Sequence, residues 1–231
     1  MGLTLVHADS PGQAATREQL LAAAEEVFAA VGFRAATVRD ICQRAGANIA
    51  AVNYHFGDKE ALYTEVLQEA LRRAKEKYPP GLGLKAGAGA EQRLRAFVLS
   101  FLLRIFDAGP QAHHGKLMAR EMADPTRALD ALVEQEIRPM CEQLHGIIAD
   151  LLGAAASPES VRVCSMSVIG QVLFYHHSQP VIRRISPDLI FNPGQIERLA
   201  EHITRFSLAG IGQLAKRQPP AGKPRARRRK S

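Results

Sequence analysis

Residues 37–62 read Thr37-Val38-Arg39-Asp40-Ile41-Cys42-Gln43-Arg44-Ala45-Gly46-Ala47-Asn48-Ile49-Ala50-Ala51-Val52-Asn53-Tyr54-His55-Phe56-Gly57-Asp58-Lys59-Glu60-Ala61-Leu62. Two short apolar-periodic runs lie in this stretch, each opened by a capping residue and closed by a glycine. Thr37 is the N-cap of the first, in which Val38, Ile41 and Ala45 share a face before Gly46 supplies the turn. Asn48 is the N-cap of the second, in which Val52 and Phe56 face inward four residues apart. Gly57-Asp58 then opens a longer helix from Lys59 to about Tyr78, with Leu62, Val66, Leu67 and Leu71 spaced for packing.

Upstream, Thr16-Arg17-Glu18-Gln19 has the form of a capping box, and Leu20, Ala24, Val27, Phe28 and Val31 line one face of a helix that Gly32 ends. Three short helices, the second and third joined through Ala45-Gly46-Ala47, describe a helix-turn-helix. Its third helix is short enough to enter a major groove end first.

The run Thr37 to Ile41, with Ala45-Gly46-Ala47 and Val52 to Leu62, resembles the headpiece of the TetR family over roughly residues 16–63. Within that family the stretch Asn48 to Gly57 is more narrowly similar to the CecR-like branch. Arg120-Glu121, the helix from Pro125 to Pro139 and Val168-Ile169-Gly170 are compatible with that branch's C-terminal domain. The resemblance implies an all-helical homodimer in which an effector, bound in the C-terminal domain, changes the spacing of two DNA-reading heads. It also implies backbone contacts for Tyr54 and His55 and a base contact for Arg39, whose guanidinium suits guanine O6 and N7. Many family members carry tyrosine where this chain has Asn53, which exchanges a phosphate-stacking ring for a short amide able to bond a base.

Residue chemistry extends the DNA set. Thr37 combines a hydroxyl with free backbone donors, which suits a phosphate, and it serves equally as a plain cap. Lys59 opens the fourth helix, where charge and helix dipole favour a second phosphate. Asn48 and Asn53 flank the apolar strip Ile49-Ala50-Ala51, a combination suited to adenine and thymine methyls. Charge runs the other way: through Glu60, five cations (Arg17, Arg34, Arg39, Arg44 and Lys59) face seven acids (Asp9, Glu18, Glu25, Glu26, Asp40, Asp58 and Glu60). A nucleic-acid binder ordinarily shows a basic footprint.

The net charge of +7 is concentrated at one end. Lys216, Arg217, Lys223, Arg225, Arg227, Arg228, Arg229 and Lys230 sit without an acidic neighbour among four glycine and proline positions, so residues 216–231 are expected to be a disordered basic tail. Residues 1–15 are expected to be a flexible N-terminus, 16–62 the DNA-binding domain, and 63–215 an effector-binding and dimerisation domain. Pro79-Pro80-Gly81 and the Gly/Ala run after it mark the junction.

Beyond that junction five more helices are expected, making about nine in an all-α chain, with the last two forming the homodimer surface. Gly109-Pro110 and the Asp124-Pro125, Ser157-Pro158 and Asn192-Pro193 pairs punctuate them, and Pro139 should kink the helix from Pro125 to about Leu152. Phe97, Phe101, Met118, Met122, Met140 and Phe174 supply apolar volume for an aromatic-sized effector, with Arg120, Glu121 or His177 to orient it. A plain packed core uses the same residues.

Other classes find little support. No nucleophile elbow, phosphate loop, paired-carboxylate motif or CxxC appears, so neither an enzyme nor a cofactor is expected. Adjacent histidines at 113–114 and 176–177 point to different sides of a helix, so neither pair chelates a metal alone. Cys42, Cys141 and Cys164 are odd in number and set in apolar patterns, which suits buried thiols in the cytoplasm. No stretch has the length and apolarity of a membrane span. The expected partners are a duplex operator, a second copy of the chain and an unidentified small molecule. A helical interaction protein without DNA binding is the alternative.

Overall fold

The computed structural model describes residues 11–109, 113–154 and 156–217. In chain order the helices are α1 (Pro11–Ala35), α2 (Val38–Ala45), α3 (Ile49–Phe56), α4 (Lys59–Lys77), α5 (Ala90–Ile105) and α6 (His114–Ala123). They continue as α7 (Ala128–Leu132), a π-helical turn (Val133–Ile137), α8 (Arg138–Leu152), α9 (Pro158–His177), α10 (Gln179–Ile185) and α11 (Pro193–Arg217). No described residue lies in a strand, so the fold is all α. Among the described residues no helix is long and apolar enough to cross a membrane.

The chain divides into two compact units: residues up to Lys77 with Asp107–Glu136, and Tyr78–Phe106 with the residues from Ile137 onward. The first unit is therefore larger than the helix-turn-helix. Leu20, Phe28, Ile41, Val52, Leu62 and Tyr63 form its core, and Leu117 of α6 with Leu132 of α7 is buried in the same cluster. Phe28 meets Tyr63 edge-on at 4.8 Å, and Phe33 lies 5.0 Å from the same ring.

In the second unit, Leu94, Phe97 and Leu102 of α5 pack with Leu144 and Ile148 of α8, Val168 and Val172 of α9, and Ala200 and Ile203 of α11. Two of the expected start signals work as read. Ser157 accepts from the Ser160 amide at 3.1 Å, and Asn192 Oδ1 accepts from the Gln195 amide at 2.9 Å.

Other local signals are overridden. α1 begins at Pro11, upstream of the Thr16 box, so the Thr16 hydroxyl lies inside the helix and donates back to the Gly12 carbonyl at 2.9 Å. Asp124 closes α6 and does not open a helix; its carboxylate meets Arg34, and Thr126 takes over the local bonds by donating its amide to Glu121 Oε1 at 2.8 Å. The helix expected from Pro125 to Leu152 is divided, since Pro139 falls in the first turn of α8 and a π-helical turn precedes it. α11 runs through Lys216 and Arg217, while residues 1–10 and the rest of the basic tail, 218–231, lie outside the described residues.

Candidate functional site

The caps that set the head are in place. Thr37 Oγ1 accepts from the Asp40 amide at 3.1 Å and donates to Asp40 Oδ2 at 2.7 Å. Gly46 at φ 64° makes the left-handed turn out of α2, a conformation that a side chain would oppose. Asn48 Oδ1 accepts from the Ala51 amide at 2.9 Å and starts α3, and Asp58 Oδ1 accepts from the Ala61 amide at 2.8 Å at the start of α4. Val52 and Phe56 are buried under α3, which leaves Ile49, Ala50, Asn53 and Tyr54 exposed and Ala51 and His55 half-buried. Tyr54 is 66% exposed, with its hydroxyl accepting from Gln13 Nε2 at 3.4 Å.

The cations of the head are nearly all committed. Arg17 pairs with Glu65 and lies 5.2 Å over the Phe56 ring. Arg34 grips Asp124 through two bonds of 2.5 and 2.7 Å, and this pairing holds the Asp124 carboxyl below its usual range. Arg44 pairs with Glu26. Lys59 is directed inward: its ammonium donates to the carbonyls of Phe33 and Ala36 at 2.9 and 3.0 Å and sits 4.3 Å over the Phe33 ring. The side-chain charge expected to meet a phosphate is thus engaged within the head in this structure. Arg39 is exposed and makes no ion pair or hydrogen bond with another described residue.

Two of the acids are absorbed in the same way, Glu26 by Arg44 and Glu25 by Arg73. Glu25 is buried on α1, where it meets Arg73 and lies 3.3 Å from His113 Nδ1. None of the seven acids lies on α3, so the negative sum of the head does not describe the exposed side of that helix. Asn48 has its acceptor oxygen occupied by the cap, so of the two asparagines only Asn53 retains its whole amide for a base.

The residues expected to meet an effector fall in different units. Met118, Arg120, Glu121 and Met122 belong to the first, and Phe97, Phe101, Met140, Phe174 and His177 to the second. Arg120 donates to the carbonyls of Ala29 and Ala30 at the end of α1. Glu121 is fully buried, bonded to Thr126, and its carboxylate adds to burial in pushing the Tyr63 phenol pKa up. Met122 is exposed. Phe97 and Phe101 are buried side by side in the second core with ring centres 6.3 Å apart, and Met140 packs against the same cluster. Phe174 and His177 are exposed on α9.

Sequence reading missed two features. Arg104 is buried in the second unit; the signal was its register, three residues after Phe101 and seven after Phe97 on one helical face. Exposed apolar residues also form stripes on α9 (Val163, Met166, Phe174) and α11 (Phe206, Leu214). A shallow cavity of about 150 Å³ between these two helices is lined by Val168, Phe206, Ile211 and Leu214, among others. The three thiols are free, and burial pushes each pKa up, away from the reactive thiolate.

Comparison with known proteins agrees with this geometry. Residues 20–66 match the family described as bacterial regulatory proteins, tetR family, and residues 90–211 match the HTH-type transcriptional dual regulator CecR, C-terminal domain. The chain is 28% identical to the HTH-type transcriptional dual regulator CecR of Shigella flexneri over 196 residues, covering 81% of this chain and 87% of that one. Its fold is similar to that of a TetR-like transcriptional regulator from Rhodococcus sp. RHA1 (TM-score 0.62, 18% identity, 84% of this chain and 96% of that one). It is similar also to AibR, solved in complex with isovaleryl coenzyme A and operator DNA (TM-score 0.61, 17% identity, 83% and 97%). The chain belongs to the TetR family of bacterial transcriptional regulators, with a C-terminal domain of the CecR type.

Proposed function

We propose that the protein acts as a homodimer that reads a near-palindromic duplex operator, one α3 per half-site, and releases it when a small-molecule effector binds. The observation that carries this reading is the pairing pattern of the head. Arg17, Arg34, Arg44 and Lys59 are held by internal partners, which leaves Arg39, Asn53, Tyr54 and the strip Ile49-Ala50-Ala51 as the chemistry that α2 and α3 offer outward. That set combines a guanine reader, an adenine reader and methyl-sized contacts.

In this reading residues 16–62 are the head and 63–215 the effector and dimer body, with α6 and α7 packed in the head's own compact unit. The stripes on α9 and α11 are the surface for the second copy. Phe206 is 65% exposed and Phe174 57%, and a glycine lies four residues from each (Gly210 and Gly170) with open space around it, so partner helices can approach closely. That AibR was solved with operator DNA and an acyl-coenzyme A supports the pairing of DNA binding with a ligand.

The test is selection of binding sites from random duplexes by the full chain. An enriched inverted repeat with two equal half-sites, bound more weakly as salt rises and lost with Arg39→Ala, is the expected result. Failure to enrich any sequence would leave the chain as a helical interaction protein, and enriched binding indifferent to Arg39 would remove that residue from base reading.

A further inference from the structure

The second unit holds a cation without a counter-ion among the described residues. Arg104, in the last turn of α5, is only 2% exposed. Its Nε donates to the Ser100 carbonyl of its own helix at 3.3 Å, and its guanidinium carbon lies 5.4 Å from the Phe101 ring centre. Its single side-chain acceptor among the described residues is a thioether, Met140 Sδ, 3.9 Å from Nη2. Nη1 has no partner among the described residues. Burial alone, with no carboxylate contributing, pulls the group's pKa down to about 10, so it remains charged at neutral pH.

Such an arrangement is costly, because a buried charge is normally paired and a guanidinium offers five donors in a fixed fork. The partial negative charge at the end of α5 helps to hold the cation, and the Phe101 face adds to this, but neither supplies an anionic oxygen. Thioether sulfur is a weak acceptor on a side chain with three rotatable bonds, so it is readily displaced. Around the fork stand Phe101, with Phe97 beside it, and Met140, which together suit an apolar body.

We propose that Arg104 is the anion-recognition group of the effector site and that the effector is a small organic carboxylate with an apolar body. The carboxylate binds the guanidinium fork in two parallel bonds and displaces the Met140 sulfur, while the apolar body packs on Phe97 and Phe101. This deepens the effector-responsive reading above and rests on it for the consequence of binding, though not for binding itself. Met140 lies in the first turn of α8, directly after the π-helical turn through which the chain leaves the first unit. Displacing its side chain therefore acts on the segment that joins the two.

The experiment uses the full chain and its Arg104→Met variant, with thermal midpoints measured across titrations of benzoate, octanoate, the corresponding neutral amides and inorganic phosphate. The expected result is that the acids raise the wild-type midpoint saturably and the amides and phosphate do not. Arg104→Met should match or exceed the wild-type midpoint without ligand, because it removes an uncompensated buried charge, and should lose at least tenfold in affinity for the acids. A merely structural arginine would give a lower ligand-free midpoint and unchanged acid binding, which would overturn the proposal. So would acids and amides acting alike, phosphate acting as strongly as the acids, or no response to any acid. If Arg104→Met does not fold, Arg104→Lys, which keeps the charge and loses the fork, must weaken acid binding by about tenfold, or the proposal fails.

Operator release is measured separately on the selected duplex. Acids that bind through Arg104 without releasing DNA support the site and overturn the effector-responsive reading. A releasing ligand that binds Arg104→Met unchanged overturns the site and leaves that reading intact.

Discussion

Arg120 of α6 donates from Nε to the carbonyl of Ala29 in α1 at 3.0 Å, and Nη2 reaches the next carbonyl, Ala30. These are carbonyls that the end of a helix would otherwise leave unpaired, because α1 is broken at Gly32, which adopts φ 79° and ψ 171°. A Cβ at Gly32 would meet Arg120 Nη1 at 3.2 Å, so the break and the arginine fit one another. Lys59 closes the same corner from α4, through Phe33 and Ala36. The first helix of the DNA-binding head is thus held from two sides, by α4 and by α6.

Arg120→Ala should lower stability by about 1.5 kcal/mol, the lower end for bonds to a charged group, since the side chain is exposed. Gly32→Ala should cost about 1–3 kcal/mol through its positive-φ, extended backbone alone, a conformation that glycine almost alone adopts. Urea denaturation of the two single variants checks both. An Arg120→Ala midpoint equal to that of the wild type would show that the two bonds do not hold the head.

Which features were legible in the sequence follows from how local their causes are. Thr37, Asn48 and Asp58 cap helices through bonds spanning three residues, so sequence alone placed α2, α3 and the start of α4. Thr16 failed as a cap because the same hydroxyl can bond a carbonyl four residues back once a helix already runs there. Pro139 announced a break, but not that the chain leaves one compact unit beside it. Arg120, expected from sequence as an effector contact, has its partners some ninety residues away on α1, and no local pattern reports them. The pairs Arg34–Asp124 and Arg44–Glu26 are equally non-local, so a charge count along the chain does not report which cations of the head are committed.

Asn48 and Asn53 should separate cleanly under mutation. Asn48→Ala removes the α3 cap and should destabilise the chain by about 1 kcal/mol, and Asn48→Ser should restore most of that. Asn53→Ala should leave stability within about 0.5 kcal/mol of wild type, since its exposed amide has no partner among the described residues. It should nevertheless weaken operator binding by about 1–3 kcal/mol at sites whose half-sites carry A·T pairs. Site selection with each variant reads base preference directly. An Asn53→Ala selection identical to that of the wild type would remove the residue from base reading.

Phe206→Glu should dissociate the proposed homodimer. Phe206 lies in the exposed stripe of α11, and a carboxylate there would have to be buried against the partner helix without a counter-charge. Sedimentation velocity should show a monomer at concentrations where the wild type is dimeric, with secondary structure unchanged. Operator affinity should fall with it, since two half-sites would no longer be bound together. A dimeric Phe206→Glu protein would place the interface elsewhere.

The basic tail should strengthen DNA binding without adding sequence preference. The chain outside residues 216–231 has a net charge of −1, and within the head only Arg39 is uncommitted, so long-range attraction to phosphate has few sources other than the tail. α11 runs through Arg217, so a chain ending there keeps the helix intact and removes Lys223, Arg225, Arg227, Arg228, Arg229 and Lys230. Each phosphate that these residues neutralise releases condensed counterions, so truncation should flatten the slope of log affinity against log salt by about 0.9 per lost contact. Such contacts do not depend on base identity, and the ratio of operator to random-duplex affinity should therefore stay constant while both affinities fall. Titrating the two proteins on both duplexes over a range of salt measures slope and ratio together. Equal slopes would show that the tail makes no phosphate contact, and a changed ratio would show that it reads sequence.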